Sequence, residues 1–352
     1  MTNPLISIVI NNYNYARYLS QSIESALAQT YNNVEVVVVD DCSTDDSREV
    51  IAHCGNRIVA VLHDRNRGQA AAFDSGFRAS KGDLIMLLDS DDYLYSNAAA
   101  TVAAVWSSGC AKIQYRLDLV NATGGKIDTY PAPEIRFDSG QVLPRLLETG
   151  RYETTVTSGS TFVREMLQRA LPAPEDDFRI SADGYLATLA PFFGTVTSVE
   201  EPLGAYRQHG NNAWATSVPS KLGDRMRGSL AHDERKYRVL GAMAREHGLT
   251  VAPCPGLRDH QHLETRLASL RLDPCLHPYR NDSRYELAVR GVAASWSART
   301  TWSRQGLLAA WFVAVGFSPD AVASRVIAWR FIQVTRPNYV DRLLKSLRRA
   351  TS

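Results

Sequence analysis

The stretch "LIMLLDSDD" (84–92) runs five apolar residues straight into Asp89, Ser90, Asp91 and Asp92. Three carboxylates so close repel one another, and a folded chain must offset that charge. A helix cap or turn uses one such carboxylate. Three, with two of them spaced i and i+2, suit a divalent cation. Mn²⁺ and Mg²⁺ take oxygen ligands and commonly share their shell between one or two carboxylates and substrate phosphates. One reading of the cluster is therefore Mn²⁺ or Mg²⁺ bound with a diphosphate; the other is a helix cap with surplus charge.

A second acidic group lies in "VVDDCSTDDS" (38–47). Asp41 could accept a hydrogen bond from a base N–H, with Tyr13 stacking on that base. Alternatively, Asp40 and Asp41 cap a helix starting near Ser43 or Thr44.

The surrounding pattern says what positions these groups. "LISIVIN" (5–11), "VEVVVVD" (34–40), "RIVAVLH" (57–63) and "DLIMLLD" (83–89) lack polar alternation, as strands buried on both faces do. Segments of helical character lie between them at 16–30, 43–54 and 68–82, the last stopped by Lys81-Gly82. This alternation predicts an α/β fold with a mixed, mostly parallel sheet flanked by helices. Such sheets bind ligands at the carboxyl ends of their strands. The polar residues after strands one, two and four, including Asn11, Asn12 and Asn14, should therefore share one edge.

These residues together resemble family 2 glycosyltransferases, which have the glycosyltransferase A fold. The likeness rests on "SIVINNYNYARYLSQSIESALAQTYNNVEVVVVDDCSTDDS" followed by "RNRGQAAAFDSGFRASKGDLIMLLDSDDYL". It is strong over residues 5–120 and looser over 121–215. The resemblance implies that Asn11 and Tyr13 contact the donor's base and that Asp41 takes the base N–H. It places Arg67 and Gly68 near the ribose and phosphates. Asp89, Ser90, Asp91 and Asp92 fall in the D-x-D motif, with Asp91 and Asp92 the favoured metal ligands. One departure is Asp74, where the family often has Asn.

The resemblance also implies a general base in "FRISADGYLATLAPFFG" (178–194), which supplies Asp183. A sugar hydroxyl must lose its proton as it attacks the anomeric carbon. One base opposite one metal-held leaving group gives a single displacement with inversion. Asp183 could instead cap a helix, and Asp176 and Asp177 are rival bases. "AYRQHGNNAW" (205–214) resembles a late family segment, where Arg207 would offset phosphate charge and His209 would complete the metal shell or contact the diphosphate. A loop histidine can equally be simply solvated.

Composition agrees with an ordinary folded protein. The chain has 352 residues, 45% hydrophobic and 22% charged, and its net charge of +2 argues against nucleic-acid binding. Cys42, Cys54, Cys110, Cys254 and Cys275 have no CxxC spacing, as suits a reducing cytoplasm. No leader is visible, and the longest late apolar run, 307–317, is shorter than the roughly 20 residues that span a bilayer. The expected organisation is a catalytic domain over 1–215, divided at 120 into nucleotide and acceptor halves, and a helical region over 216–352. The region contains a long helix (219–248), a linker (251–256) and a basic tail, with seven Arg/Lys against two Asp from 320 onward. Trp302, Trp311, Phe312, Phe317, Trp329 and Phe331 lie among its arginines. They read either as a solvated helix face or as a helix lying on an anionic membrane.

The expected activity is a metal-dependent, inverting transfer from a nucleotide-sugar to a hydroxyl of a glycan or lipid-linked saccharide. UDP is the expected nucleotide, and a bacterial surface polysaccharide is the expected setting. The protein would be cytoplasmic, with peripheral contact at the inner face of the plasma membrane. "NNYNYARY" lacks the glycines that a nucleotidyltransferase or dinucleotide oxidoreductase needs after the first strand. A phosphatase would carry its D-x-D after strand one. A catalytically inactive assembly protein is the remaining alternative.

Overall fold

The computed structural model describes residues 3–210, 218–332 and 335–337. Residues 211–214 of the late segment and the tail beyond 337 lie outside the described residues. The chain divides into two compact units. One holds residues 1–133, 137–143 and 154–209; the other holds 134–136, 144–153 and 210–352.

The first unit starts with β1 (Ile6–Asn12), α1 (Ala16–Leu27), β2 (Val34–Asp40), α2 (Ser47–Cys54), β3 (Val59–Leu62), α3 (Gln69–Ala79) and β4 (Leu84–Asp89). It continues through β5 (Tyr93–Leu94), α4 (Ala98–Val105), β6 (Cys110–Asn121) and β7 (Lys126–Tyr130). Helix α5 (Leu143–Thr149), most of which joins the second unit, precedes β8 (Ser160–Val163), α6 (Arg164–Ala170), α7 (Ala182–Leu189) and β9 (Thr195–Gln208).

These strands form one sheet in the order β3-β2-β1-β4-β8-β6-β9-β5, with β7 on β6. The first four are parallel, and β8 joins β4 antiparallel. The expected mostly parallel sheet is thus observed. Ile6, Ile8, Ile10, Val36, Val38, Leu84, Met86 and Leu88 are buried in its core. Register then sets the site: Asn12 is level with Asp40, and Asn11 with Asp89. The polar strand ends do share one edge.

Two local expectations differ. Helix α2 begins at Ser47, not near Ser43, because Ser43 Oγ instead accepts from the Asn12 amide (3.1 Å) and the Asn14 N–H (2.9 Å). The stretch 251–256 is not a free linker, since Pro255 and Gly256 are buried within the second unit.

The second unit contains α8 (Leu222–Glu246), α9 (His260–Leu272), α10 (Arg284–Trp296), α11 (Trp302–Phe317) and α12 (Asp320–Phe331). Its apolar core includes Met226, Leu263, Leu267, Leu287, Phe312 and Ile327. A buried charge network lies beside it. Asp233 meets Lys236 Nζ at 2.7 Å, Arg151 Nη2 at 2.9 Å and His262 Nδ1 at 2.9 Å. Burial alone would raise the Asp233 pKa, but Lys236, Arg151 and His262 outweigh it and hold the carboxyl well below its usual range. Removing the Asp233 carboxylate takes away the ion-pair partner of Lys236 and leaves Arg151 with Asp259. Asp233→Ala should therefore cost about 3–5 kcal/mol of stability in urea unfolding. A loss within experimental error of zero would show that the network carries no weight.

Candidate active site

Three β-to-loop junctions and the start of α7 build the site. At the end of β4, the Asn11 amide donates to Asp89 Oδ1 at 2.8 Å and the Gln69 amide at 3.2 Å. Burial, then the neighbouring charges of Asp91 and Asp183, push the Asp89 carboxyl up to about 7 against the opposing Asn11 hydrogen bond. Asp92 is fully enclosed. Its Oδ2 accepts from Ser158 Oγ at 2.5 Å and its Oδ1 from the Arg207 N–H at 2.8 Å. Burial and the charges of Asp91 and Asp89 raise its pKa well above the ordinary range. Asp91 lies between these two, with its Oδ2 2.8 Å from His209 Nε2.

His209 is itself held by rings: it stacks on Tyr18 at 5.2 Å and meets Tyr15 edge-on at 5.4 Å. The Arg207 guanidinium runs behind the turn, donating to Asp91 O (2.8 Å), Ala122 O (3.2 Å) and Gln21 Oε1 (2.6 Å). Two buried polar atoms, Asn11 Oδ1 and Ser90 Oγ, have no partner among the described residues. Such groups are costly to leave unsatisfied. Among the described residues no three His, Cys, Asp or Glu side chains gather as a ready-made metal cluster; the paired Asp91 Oδ2 and His209 Nε2, 2.8 Å apart, are the groups that a cation sharing its shell with a diphosphate would use.

At the end of β2 the two aspartates divide. Asp40 braces the loop. Burial would raise its pKa, but hydrogen bonds from Ser43, Asn12 and Arg48 hold it below the usual carboxylate range. Asp41 accepts from the backbone N–H of Arg67 (2.8 Å) and Gly68 (2.6 Å), and its Oδ1 lies 2.7 Å from His63 Nδ1. It therefore shapes the Arg67–Gly68 loop directly. Gly68 is required there: its φ is +89°, and a Cβ would come within 2.5 Å of the Arg179 side chain. The Arg67 guanidinium pairs with Glu175 at 2.6 Å. Tyr13 is 45% exposed at the rim.

Asp183 lies in the first turn of α7, one residue inside it, and is not the residue that precedes the helix. Ser181, which does precede it, has left-handed backbone (φ +60°), as do Asn14 and Cys42 after β1 and β2. Non-glycine residues rarely adopt that conformation without reason, and the cost gathers where ligands are held. Gln69 ties the parts together, because its Oε1 accepts from the Ala182 N–H at 2.9 Å while its amide reaches Asp89. Asp176 is exposed in the loop before α7.

His63, Gln69, Ser158 and Lys112 were not singled out from sequence. Lys112 is fully buried on β6, and its Nζ donates to Gln114 Oε1 at 3.1 Å and to Thr154 Oγ1. Burial pulls its pKa down to about 7, against the opposing charge of Asp183. Asp183 is thus felt by Asp89 on one side and by Lys112 on the other.

Comparison with known proteins agrees with this architecture. The profile of glycosyl transferase family 2 matches residues 7–137. The chain is 36% identical over 214 residues to an uncharacterized glycosyltransferase of Nostoc sp., covering 59% of this chain and 66% of that protein. It is 31% identical over 212 residues to the succinoglycan biosynthesis protein ExoO of Rhizobium meliloti, covering 58% of this chain and 61% of that one. The matches thus span just under two thirds of these relatives' lengths. The mannosyltransferase PcManGT of Pyrobaculum calidifontis, solved with GDP-Man and Mn²⁺, has the same fold at 16% identity, with a TM-score of 0.52 covering 95% of this chain and 86% of that one.

The Lys112 environment gives a pH prediction. The unfolded chain holds a proton on this amine up to about pH 10.4, whereas the folded chain releases it near 7. Between those values the unfolded state binds more protons, so stability rises with pH, by up to about 1.4 kcal/mol per unit from this group. Lys112→Met should lack that slope, so the stability of the wild type relative to the variant should rise between about pH 7 and 10. Parallel curves for the two proteins would refute it.

Proposed function

Residues 7–137 belong to glycosyl transferase family 2, and from that premise we propose that the protein transfers a sugar from a nucleotide-sugar donor, a UDP-sugar in the first instance, to an acceptor hydroxyl with inversion. The observation that carries this reading is the enclosed Asp89–Asp91–Asp92 turn, level with Asn11 and within electrostatic reach of Asp183. One side of the site then suits a diphosphate and the other a base. When bound, a divalent cation supplies the counter-charge for a departing nucleoside diphosphate. Asp91 and His209 would hold it, with Ser90 beside them. Asp92, already clasped by Ser158 and the Arg207 N–H, braces the turn.

The chain's own residues perform the other tasks. Tyr13 and Asn11 offer a ring and an amide to the donor's base. Asp41 holds the Arg67 and Gly68 amides in the loop that approaches the donor. Asp183 takes the acceptor's proton as its oxygen attacks the anomeric carbon. The site excludes part of the solvent, so the charge on these groups acts at greater strength than in water. A glycan or lipid-linked acceptor is in keeping with the polysaccharide role named for the Rhizobium relative.

A screen of nucleotide-sugars for Mn²⁺-supported turnover tests the proposal without a known acceptor. Asp183→Asn should lower transfer by roughly a hundredfold or more while the donor dissociation constant stays within about twofold. Equal loss of binding and transfer would remove Asp183 from the base role. Asp91→Ala should instead weaken metal-supported donor binding, and full activity after that change would overturn the metal assignment.

A further inference from the structure

We propose that the outer face of the α10–α11 hairpin docks on an anionic membrane surface. The two helices pack antiparallel, since Tyr285 meets Phe317 at 5.3 Å and Trp296 meets Trp302 at 6.4 Å. Small residues allow the close approach: a Cβ on Gly291 would strike the Phe312 ring, and one on Gly316 would strike Ala288. Leu287, Phe312 and Val315 turn inward to the core of the second unit.

The outer face is apolar where solvent-facing helices are normally charged. On α11 the exposed positions are Trp302 (83% exposed), Leu307, Ala310, Val313 and Phe317 (54%), with no charged residue among them. Tyr285, Val289 and Trp296 continue the face on α10. This is a contiguous strip in a unit that already has a complete core, and such a strip marks a contact surface. Of the six late aromatics named from sequence, Trp302 and Phe317 lie on this face. Trp311 and Phe312 belong to the core, and Trp329 and Phe331 are half-buried.

Charge selects the occupant. Residues 284–352 carry eleven Arg/Lys against three Asp/Glu, a net +8, whereas residues 1–283 carry 28 against 34, a net −6. Arg284, Arg290 and Arg299 lie on or beside the hairpin, and Arg325 follows on α12. Glu286 pairs with Arg290, and Asp320 lies 4.0 Å from Arg284. Exposed pairs of this kind contribute little and yield readily to a phosphate. A second copy on the same face would set its own Arg284, Arg290 and Arg299 against like charge. A negatively charged bilayer offers both the apolar boundary that Trp and Tyr favour and the opposite charge. No described helix is long and apolar enough to cross a bilayer, so the contact would lie along its surface.

The test uses the full chain with vesicles of phosphatidylcholine, alone or mixed equally with phosphatidylglycerol, and no donor. Its outcome is therefore independent of the transfer reaction. The expected result is co-sedimentation with the anionic vesicles at least about tenfold above the neutral ones, lost in roughly 0.5 M salt, with a blue shift of tryptophan fluorescence. Val313→Asp with Phe317→Asp should lose that binding. The exposed pair Arg290→Glu and Arg299→Glu should reduce it at least several-fold, and both variants should keep the wild-type unfolding midpoint. Equal binding to both vesicle types, or unchanged binding by both variants, would overturn the proposal. So would a dimer in sedimentation velocity that the same substitutions disperse, which would assign the face to a second copy.

Discussion

Three carboxylates packed into four residues, with Asp91 and Asp92 buried, form the constraint on which the first unit is built. Withdrawal from water alone raises the free energy of each ionised carboxylate, and proximity raises it further. The surrounding chain answers with dipoles more than with charges: the Asn11 and Gln69 amides on Asp89, and the Ser158 hydroxyl and Arg207 N–H on Asp92. These partners fix where the carboxylates point without bringing a cationic group onto Asp89 or Asp92. The opposite solution appears at β2, where the Arg48 guanidinium and the Ser43 and Asn12 donors hold Asp40 comfortably ionised. The contrast separates an aspartate that supports a loop from a turn that is poised for a cation.

The same partners explain why so much of the sheet is needed. Asn11 comes from β1, Gln69 from the start of α3, Ser158 from the turn before β8, and Arg207 and His209 from β9 and its end. Asn11 could not be moved one residue along β1 without its side chain swinging to the other face. The register that sets Asn11 level with Asp89 is therefore also what places a donor on that carboxylate. Strain at Asn14, Cys42 and Ser181 borders the same edge. The sheet's packing absorbs that local cost.

Much of this was legible in the order of residues. Unbroken β-branched runs announced the parallel strands, and the acidic clusters at their ends announced the shared edge. Side-chain partnership was not legible. Ser158 and Asp92 are 66 positions apart, and nothing local marks that serine. Lys112 is illegible for a different reason. With Gln114, Arg116 and Asp118 it alternates with Ile113, Tyr115 and Leu117, a pattern that ordinarily reads as a strand with one solvated face. In the fold that polar row is buried as well, because Thr154 and neighbouring chain close over it. Among the late aromatics, helical phase decided their roles: Trp311 and Phe312 turn inward, while Trp302, Val313 and Phe317 line the other side of the same helix.

The central claim is that the turn at Asp89, Asp91 and Asp92 takes its missing counter-charge from a cation that comes with a nucleoside diphosphate. Calorimetric titration of UDP into the protein, in Mn²⁺ and again in EDTA, tests that claim most directly. The account predicts that Mn²⁺ tightens binding by at least about tenfold, or roughly 1.4 kcal/mol. Equal affinity for UDP in the two buffers would contradict it.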